Sequence, residues 1–309
     1  MHIEEALPRL ASEPPNVPET IPTPLEVKVK FIDAHVHCMI WLADHGTLSA
    51  TIAEARERGL EKAIILAMPA VGRPVENYSR MLPTQFRSLL REDSYREAEV
   101  PRVRAVIGET TFNEVIVNFL DTRFVTDSIR QTYEMTEPHT VAGFKSFLII
   151  EDNVIGIDPM NEVLGITLEK LQDVHRQIFE LALEKDLPVL YHLDLNYHLA
   201  WARELLETYP TVRTNIPHFG YSRRVMDGLL REFPNLCTDT GLLLDHMRRS
   251  PDSYREFFEK HPDRVMMGSD SGLGRMGVAF EYVQFIAELS LPTRVRDAVL
   301  YENACRFIG

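Results

Sequence analysis

The chain is poor in cysteine, in positive charge and in long apolar runs, and each shortage narrows what it can be. Only three cysteines, Cys38, Cys237 and Cys305, occur in 309 residues. They are too few and too scattered for a disulfide framework, so a reducing cytoplasm is the expected compartment. Lysine and arginine number 33 against 46 acidic residues, a formal net charge of −13. A nucleic-acid partner needs a basic patch and anionic lipid needs a polybasic segment, so neither is expected. No apolar run approaches the ~20 residues that a membrane span requires. The opening stretch, MHIEEALPRLASEPPNVPETIPTP, has neither the basic nor the apolar region of a signal peptide. It reads instead as a proline-rich arm over residues 1–26, extended and packed on the outside of the fold or on a neighbour. A small molecule is the expected partner, and a homo-oligomer the expected assembly.

From residue 27 onward, short apolar runs alternate with amphipathic stretches. The runs predict strands at 28–37, 62–68, 102–108, 141–148, 188–193, 212–218, 235–240 and 264–269. Helices are predicted over LSATIAEARERGL, ITLEKLQDVHRQIFELALEKDL, HLAWARELLETYP, SRRVMDGLLREFP and SYREFFEKHP. Eight strands alternating with helices imply a parallel sheet closed into a distorted (β/α)₈ barrel, an α/β fold formed by residues 27–309. An open doubly wound sheet would carry a glycine fingerprint after its first strand, and FIDAHVHCMIW has no glycine. Two connections are long, 69–101 and 149–166. The first includes a helix expected within SRMLPTQFRSLLRE, and both suit lids or substrate walls.

Six residues with metal-site chemistry end these runs: His35, His37, Lys145, His192, His218 and Asp270. Strand ends on one face of a barrel converge in space. His35 and His37, two residues apart on a strand, face the same way and can chelate one ion. Neutral imidazoles suit zinc and its first-row neighbours. Asp270 follows the apolar VMMG, where an unpaired carboxylate is costly to bury. Cys38 adjoins the pair, but alternation turns it to the other face.

The stretches IDAHVH, GFKSF, YHLDL, IPHFGYSR, RVMMGSDSG and YENACRFIG resemble the amidohydrolase superfamily of metal-dependent hydrolases, in the branch that also holds decarboxylases and lactonases. The resemblance spans residues 31–309 and implies a (β/α)₈ barrel. It implies one or two divalent ions, zinc first, with manganese, iron(II) or cobalt as alternatives. By the same resemblance, His35 and His37 are first-strand ligands, and His192 and His218 the fifth- and sixth-strand histidines. Asp270 is then the aspartate that binds metal and takes a proton from the attacking water. In relatives with one metal, His218 instead holds the substrate carbonyl or the water. Lys145 is either a carboxylated lysine bridging two metals or a cation that grips a substrate carboxylate or pairs with Asp270.

For substrate contacts the candidates are Arg223, Arg275, Tyr221 and Trp41. Against them, Arg223 and Arg224 also read as a helix start facing water, and Arg275 as part of a flexible loop. Glu109 is expected at the end of strand three. His45, His198 and His246 read as solvated or hydrogen-bonded loop residues, and His175 as a surface or packing residue. The expected reaction is hydrolysis of an amide, lactone or ester bond. Decarboxylation of an aromatic or dienoic acid is the alternative, and a non-catalytic binding barrel comes third.

Overall fold

Closure of the barrel falls to a single broken segment near the C-terminus. The computed structural model describes residues 29–40, 43–70, 98–126, 128–150 and 159–309. Its strands are β1 (Phe31–His37), β2 (Leu60–Ala67), β3 (Ile116–Asp121), β4 (Val141–Leu148), β5 (Val189–Leu193), β6 (Thr214–Asn215), β7 (Leu236–Asp239), β8 (Val265–Met266) and β9 (Ser271–Gly272). Among the described residues they form one sheet in the order β8-β7-β6-β5-β4-β3-β2-β1-β9. The outermost strands belong to one stretch: β8 pairs in parallel with β7, and β9 pairs in parallel with β1. Between them Ala34 N donates to Met267 O at 2.9 Å and Asp270 N to His35 O at 2.8 Å. The ring therefore closes through an interrupted eighth strand, which gives the distorted (β/α)₈ barrel. The arm at 1–26, Trp41, the helix expected in SRMLPTQFRSLLRE and much of the loop after β4 lie outside the described residues.

The third strand is a correction. Residues 102–108, expected as a strand, belong to the helix Glu99–Ile107, and the strand is Ile116–Asp121. In that short run Val103 and Ile107 are buried. Their spacing fits one helical face as well as an alternating strand, so periodicity could not decide. Glu109 accordingly does not end a strand; it lies in the first turn of the helix Glu109–Val115 with its side chain 65% exposed.

The first strand is bulged. Asp33 pairs with Ala63 while Val36 pairs with Ile65, so β1 carries one residue more than β2 over this stretch. Such a bulge re-aims the side chains beyond it. Ile32 and Ala34 pack into the barrel interior, whereas Val36 and Cys38 join the outer core and His35 and His37 turn to the barrel mouth. Cys38 thus faces away from the histidine pair, as alternation predicts. The buried carboxylate of Asp33 holds the bulge. It accepts from His35 N at 3.2 Å, from Ser269 N at 2.9 Å and from Ser269 Oγ at 2.6 Å. Burial nevertheless pushes its pKa up to about 6.

Two apolar layers follow. Inside the barrel, Ile32, Ile64, Leu66, Val117, Phe119, Leu190 and Met266 pack with Ala304 and Phe307 of the C-terminal helix Asn303–Ile308. Outside, helices cover the strands with one face each. In Leu168–Lys185, capped by the Thr167 hydroxyl on Lys170 N, that face is Leu171, Val174, Ile178, Leu181 and Ala182. No helix among the described residues is long and apolar enough to cross a membrane. With one end of the barrel filled by apolar side chains, the polar residues gather at the other.

Gly143 is required by the filling. A Cβ there would lie 2.5 Å from Cζ of Phe119. Gly143→Ala is therefore expected to cost about 1–3 kcal/mol, the range for overpacking a core. Urea unfolding measures this, and adding Phe119→Leu should return part of the loss. An unshifted midpoint in Gly143→Ala would contradict the packing.

Candidate metal centre

Beyond the bulge, the β1 histidines meet residues from the far side of the ring. His35 is buried, and its Nδ1 donates to Asp239 Oδ2 at 3.1 Å. In the neutral ring that bond leaves Nε2 with a bare lone pair, facing Asp270 Oδ1 at 3.2 Å. Neither Nε2 of His35 nor Oδ1 of Asp270 has a hydrogen-bond partner among the described residues. His218 follows the same logic. Its Nδ1 donates to the Gly241 carbonyl at 2.8 Å, and its Nε2 lies 3.5 Å from Asp270 Oδ2 and 3.3 Å from His192 Nδ1. His37 has the opposite tautomer. Arg123 Nη2 donates to its Nδ1 at 3.3 Å, and its Nε2 lies 2.9 Å from Asp270 Oδ1. Nitrogen and oxygen atoms of His35, His37 and Asp270 lie within 4.8 Å of one another, as do those of His35, His218 and Asp239.

Burial sets the charges. It pulls His37 down to about 4 and takes His192 and His218 below the ordinary histidine range, so their rings are neutral lone-pair donors. For Asp270 burial acts upward, but His35, His37 and His218 outweigh it and hold the carboxyl well below the usual range. The same contest leaves Asp239 at about 2, against His35, His218 and Asn215. Lys145 is fully buried, and burial followed by the charge of Arg123 lowers it to about 7. Its Nζ has no hydrogen-bond partner among the described residues.

Chain direction at the site is sharply bent. His218, Phe219, Gly220 and Tyr221 have φ of 56°, 52°, 54° and 59°, a left-handed turn, and Asp270 has φ 55°. Left-handed non-glycine residues cost on the order of 1–3 kcal/mol each and persist where surroundings enforce them. Leu195 crowds Gly220 so closely that any Cβ there would collide.

The fold thus brings together His35, His37, His192, His218 and Asp270, with Lys145 buried nearby. Tyr221 joins them through its hydroxyl, 3.2 Å from His192 Nε2. Arg275 is exposed and lines a cavity of about 700 Å³ that also includes His37 and Asp270. Arg223 does not join: its guanidinium lies 3.8 Å from the centroid of the Tyr254 ring and donates to Ser253 Oγ. The helix Arg223–Glu232 sets it against the helix Pro251–Lys260 instead of the barrel mouth. Trp41 and the His45 side chain are outside the described residues. His246 is exposed, while His175 and His198 are buried.

Sequence reasoning missed Asp239, whose place two residues after Cys237 in β7 was the available signal. It also missed Asp121 and Arg123, because the third strand was read too early in the chain. Arg123 Nε contacts both oxygens of Asp121, at 2.9 and 2.8 Å.

Comparison with known proteins adds the family. An amidohydrolase family matches residues 140–309, more than half of the chain. No curated protein sequence matches. Among solved structures, a TatD homolog from Escherichia coli K12 is similar with a TM-score of 0.58 and 15% identity, covering 91% of this chain and 98% of that one. A phosphotriesterase homology protein from Escherichia coli gives 0.58 and 11%, covering 92% and 100%. A mutant PTE-like lactonase from Deinococcus radiodurans gives 0.54 and 13%, covering 92% and 96%. At these identities the likeness is one of fold.

The depressed histidines make a pH prediction. Folded pKa values of about 4 for His37 and about 3 for His175 lie below the unfolded value of 6.5. The unfolded chain then binds protons that the fold refuses, so stability is full above pH 6.5 and falls as pH drops toward 4. Each such histidine contributes on the order of 2 kcal/mol of that loss between pH 7 and 5. Urea midpoints of metal-free protein should fall over this range. His175→Gln, remote from the cluster, should shallow the slope; an unchanged slope would show that His175 is not held neutral.

Proposed function

The chain belongs to the amidohydrolase family and is an enzyme of that superfamily; on this premise we propose that it is a metal-dependent hydrolase opening an amide, lactone or ester bond in a small molecule. The observation that carries the proposal is His35 Nε2 facing Asp270 Oδ1 at 3.2 Å. With the histidine proton fixed on the far nitrogen by Asp239, two lone pairs oppose each other in a buried site, which a cation relieves. The donor set fits zinc, with manganese, iron(II) or cobalt as alternatives. The residues that would hold it are His35, His37, His192, His218 and Asp270. Lys145 would complete a two-ion site as a carbamate, which requires the neutral amine that its lowered pKa supplies. When bound, such an ion lowers the pKa of its water toward ~7 and polarises a carbonyl.

The chain's own groups then divide the work. Asp270, ionised throughout the working range, accepts the water proton at a carboxylate oxygen and passes it to the leaving group. His218 is the donor set's link to the strained turn and steadies the water or the carbonyl. The cavity of about 700 Å³ over Asp270 has the size of a small-molecule pocket, and Arg275 on its wall is placed to meet an anionic group. One observation favours decarboxylation as the second reading. Arg123, anchored by Asp121, reaches His37, and Lys145 lies buried close by, so two cations are available for a substrate carboxylate. Released carbon dioxide separates the two reactions. We further propose a cytoplasmic homo-oligomer, with residues 1–26 as an arm on a barrel of residues 27–309.

Metal analysis of freshly purified protein should find at least ~0.5 equivalent of a divalent transition metal. The His35→Ala, His37→Ala double variant should lose it together with turnover. Full activity in a metal-free double variant would sink the proposal, and a ratio of two ions per chain would assign Lys145 as the bridge. Asp270→Asn should slow turnover ~10²-fold or more while substrate binding changes far less. Single-turnover kinetics is the measurement, since product release can mask a slowed chemical step. Wild-type single-turnover rates in Asp270→Asn would remove the assigned base.

A further inference from the structure

The left-handed turn His218–Tyr221 folds the chain back so that its two ends address one ring. His192 has Nδ1 3.3 Å from His218 Nε2 and Nε2 3.2 Å from the Tyr221 hydroxyl. His218 carries its proton on Nδ1, where the Gly241 carbonyl accepts it at 2.8 Å, so the nitrogen it shows to His192 is a bare lone pair. In this arrangement His192 donates from Nδ1 to His218 and accepts at Nε2 from the tyrosine. Phe147, with its ring centroid 4.6 Å away, packs against the His192 ring but offers it no hydrogen-bonding group.

Binding a cation between the two histidines changes what His192 must do. If Nδ1 becomes a ligand it gives up its hydrogen, and the neutral ring then carries its proton on Nε2. The partner at Nε2 must turn from donor to acceptor. A hydroxyl is a side-chain group that does both without moving. Burial pushes the Tyr221 phenol up, so it keeps its proton in either state. The sequence suggests Tyr221 as a pocket wall, and its hydroxyl is engaged with His192.

Building on the reading of this cluster as a divalent-cation site, we propose that Tyr221 is the positioning residue of His192, its hydroxyl switching from donor to acceptor as the site takes up the ion. The left-handed turn is what lets one short segment supply both the His218 nitrogen and this hydroxyl. Histidine ligands held by such partners typically lose 10–100-fold in metal affinity when the partner is removed.

The test uses cobalt(II) as both ligand and reporter on chelator-stripped full-length protein. Tyr221→Phe should bind cobalt about 10–100-fold more weakly in competition with a chelator. Its visible cobalt absorption should shift, while the metal-free variant keeps a single cooperative unfolding transition. Equal affinity with an unchanged spectrum overturns the proposal alone. A wild type that takes up no cobalt removes the metal reading, and this proposal with it. Should Tyr221→Phe fail to fold, the wild type decides through nitrogen-15 labelled histidine. The His192 ring proton should sit on Nδ1 without metal and on Nε2 with zinc, and a proton on the same nitrogen in both states overturns the assignment.

Discussion

The carboxylate of Asp33 joins the two ends of the barrel, and the site is built on that joint. It receives the backbone of His35 on one strand and both the backbone and hydroxyl of Ser269 on the broken eighth segment. One buried group therefore sets the bulge that turns His35 and His37 to the mouth and fixes the chain one residue before Asp270. Its pKa, raised to about 6 by burial, shows that these bonds do not fully offset lost hydration. The joint lies beneath the cluster, so the geometry of the histidines is inherited from ring closure.

Above that joint, hydrogen bonds to the backs of the rings decide which nitrogen is available. Asp239 and the Gly241 carbonyl accept from Nδ1 of His35 and of His218, so each ring turns the lone pair of Nε2 to the cluster, and that of His35 has no partner among the described residues. His37 is set the other way by Arg123, so it would have to shift its proton to bind through Nε2, as His192 would to bind through Nδ1. These partners share burial with the rings they hold. In so dry a place an unpaired lone pair is costly, which suits the cluster to a positive charge. Strain is concentrated here too: His218, Phe219, Tyr221 and Asp270 are all left-handed, and each lies at or beside the cluster.

Much of this was legible in the chain. The barrel follows from alternating apolar runs and amphipathic helices, and five of the presumed ligands, with Lys145, stand at the ends of such runs. Arg275 also falls beside the cavity. Where reading failed, the cause was a local pattern with two meanings or a partner far away. Residues 102–108 satisfied strand and helix periodicity alike, which displaced the third strand and hid Asp121 and Arg123. Arg223 carries the right charge just after His218, yet a helix start turns it onto Tyr254.

The sequence by itself determined the fold class, the family resemblance and the order of the candidate metal ligands, because each is encoded within a few residues of itself. Tertiary structure alone decided the bulge, the tautomers, the role of Asp239 and the grip of Tyr221 on His192. The bond from His35 to Asp239 spans 204 positions, and that from Ser269 to Asp33 spans 236. Contacts of that range leave no periodic trace in either segment, since each strand end would look the same with any polar neighbour. They come into being only when the ring closes and burial sets the lone pairs and protons at the mouth against one another.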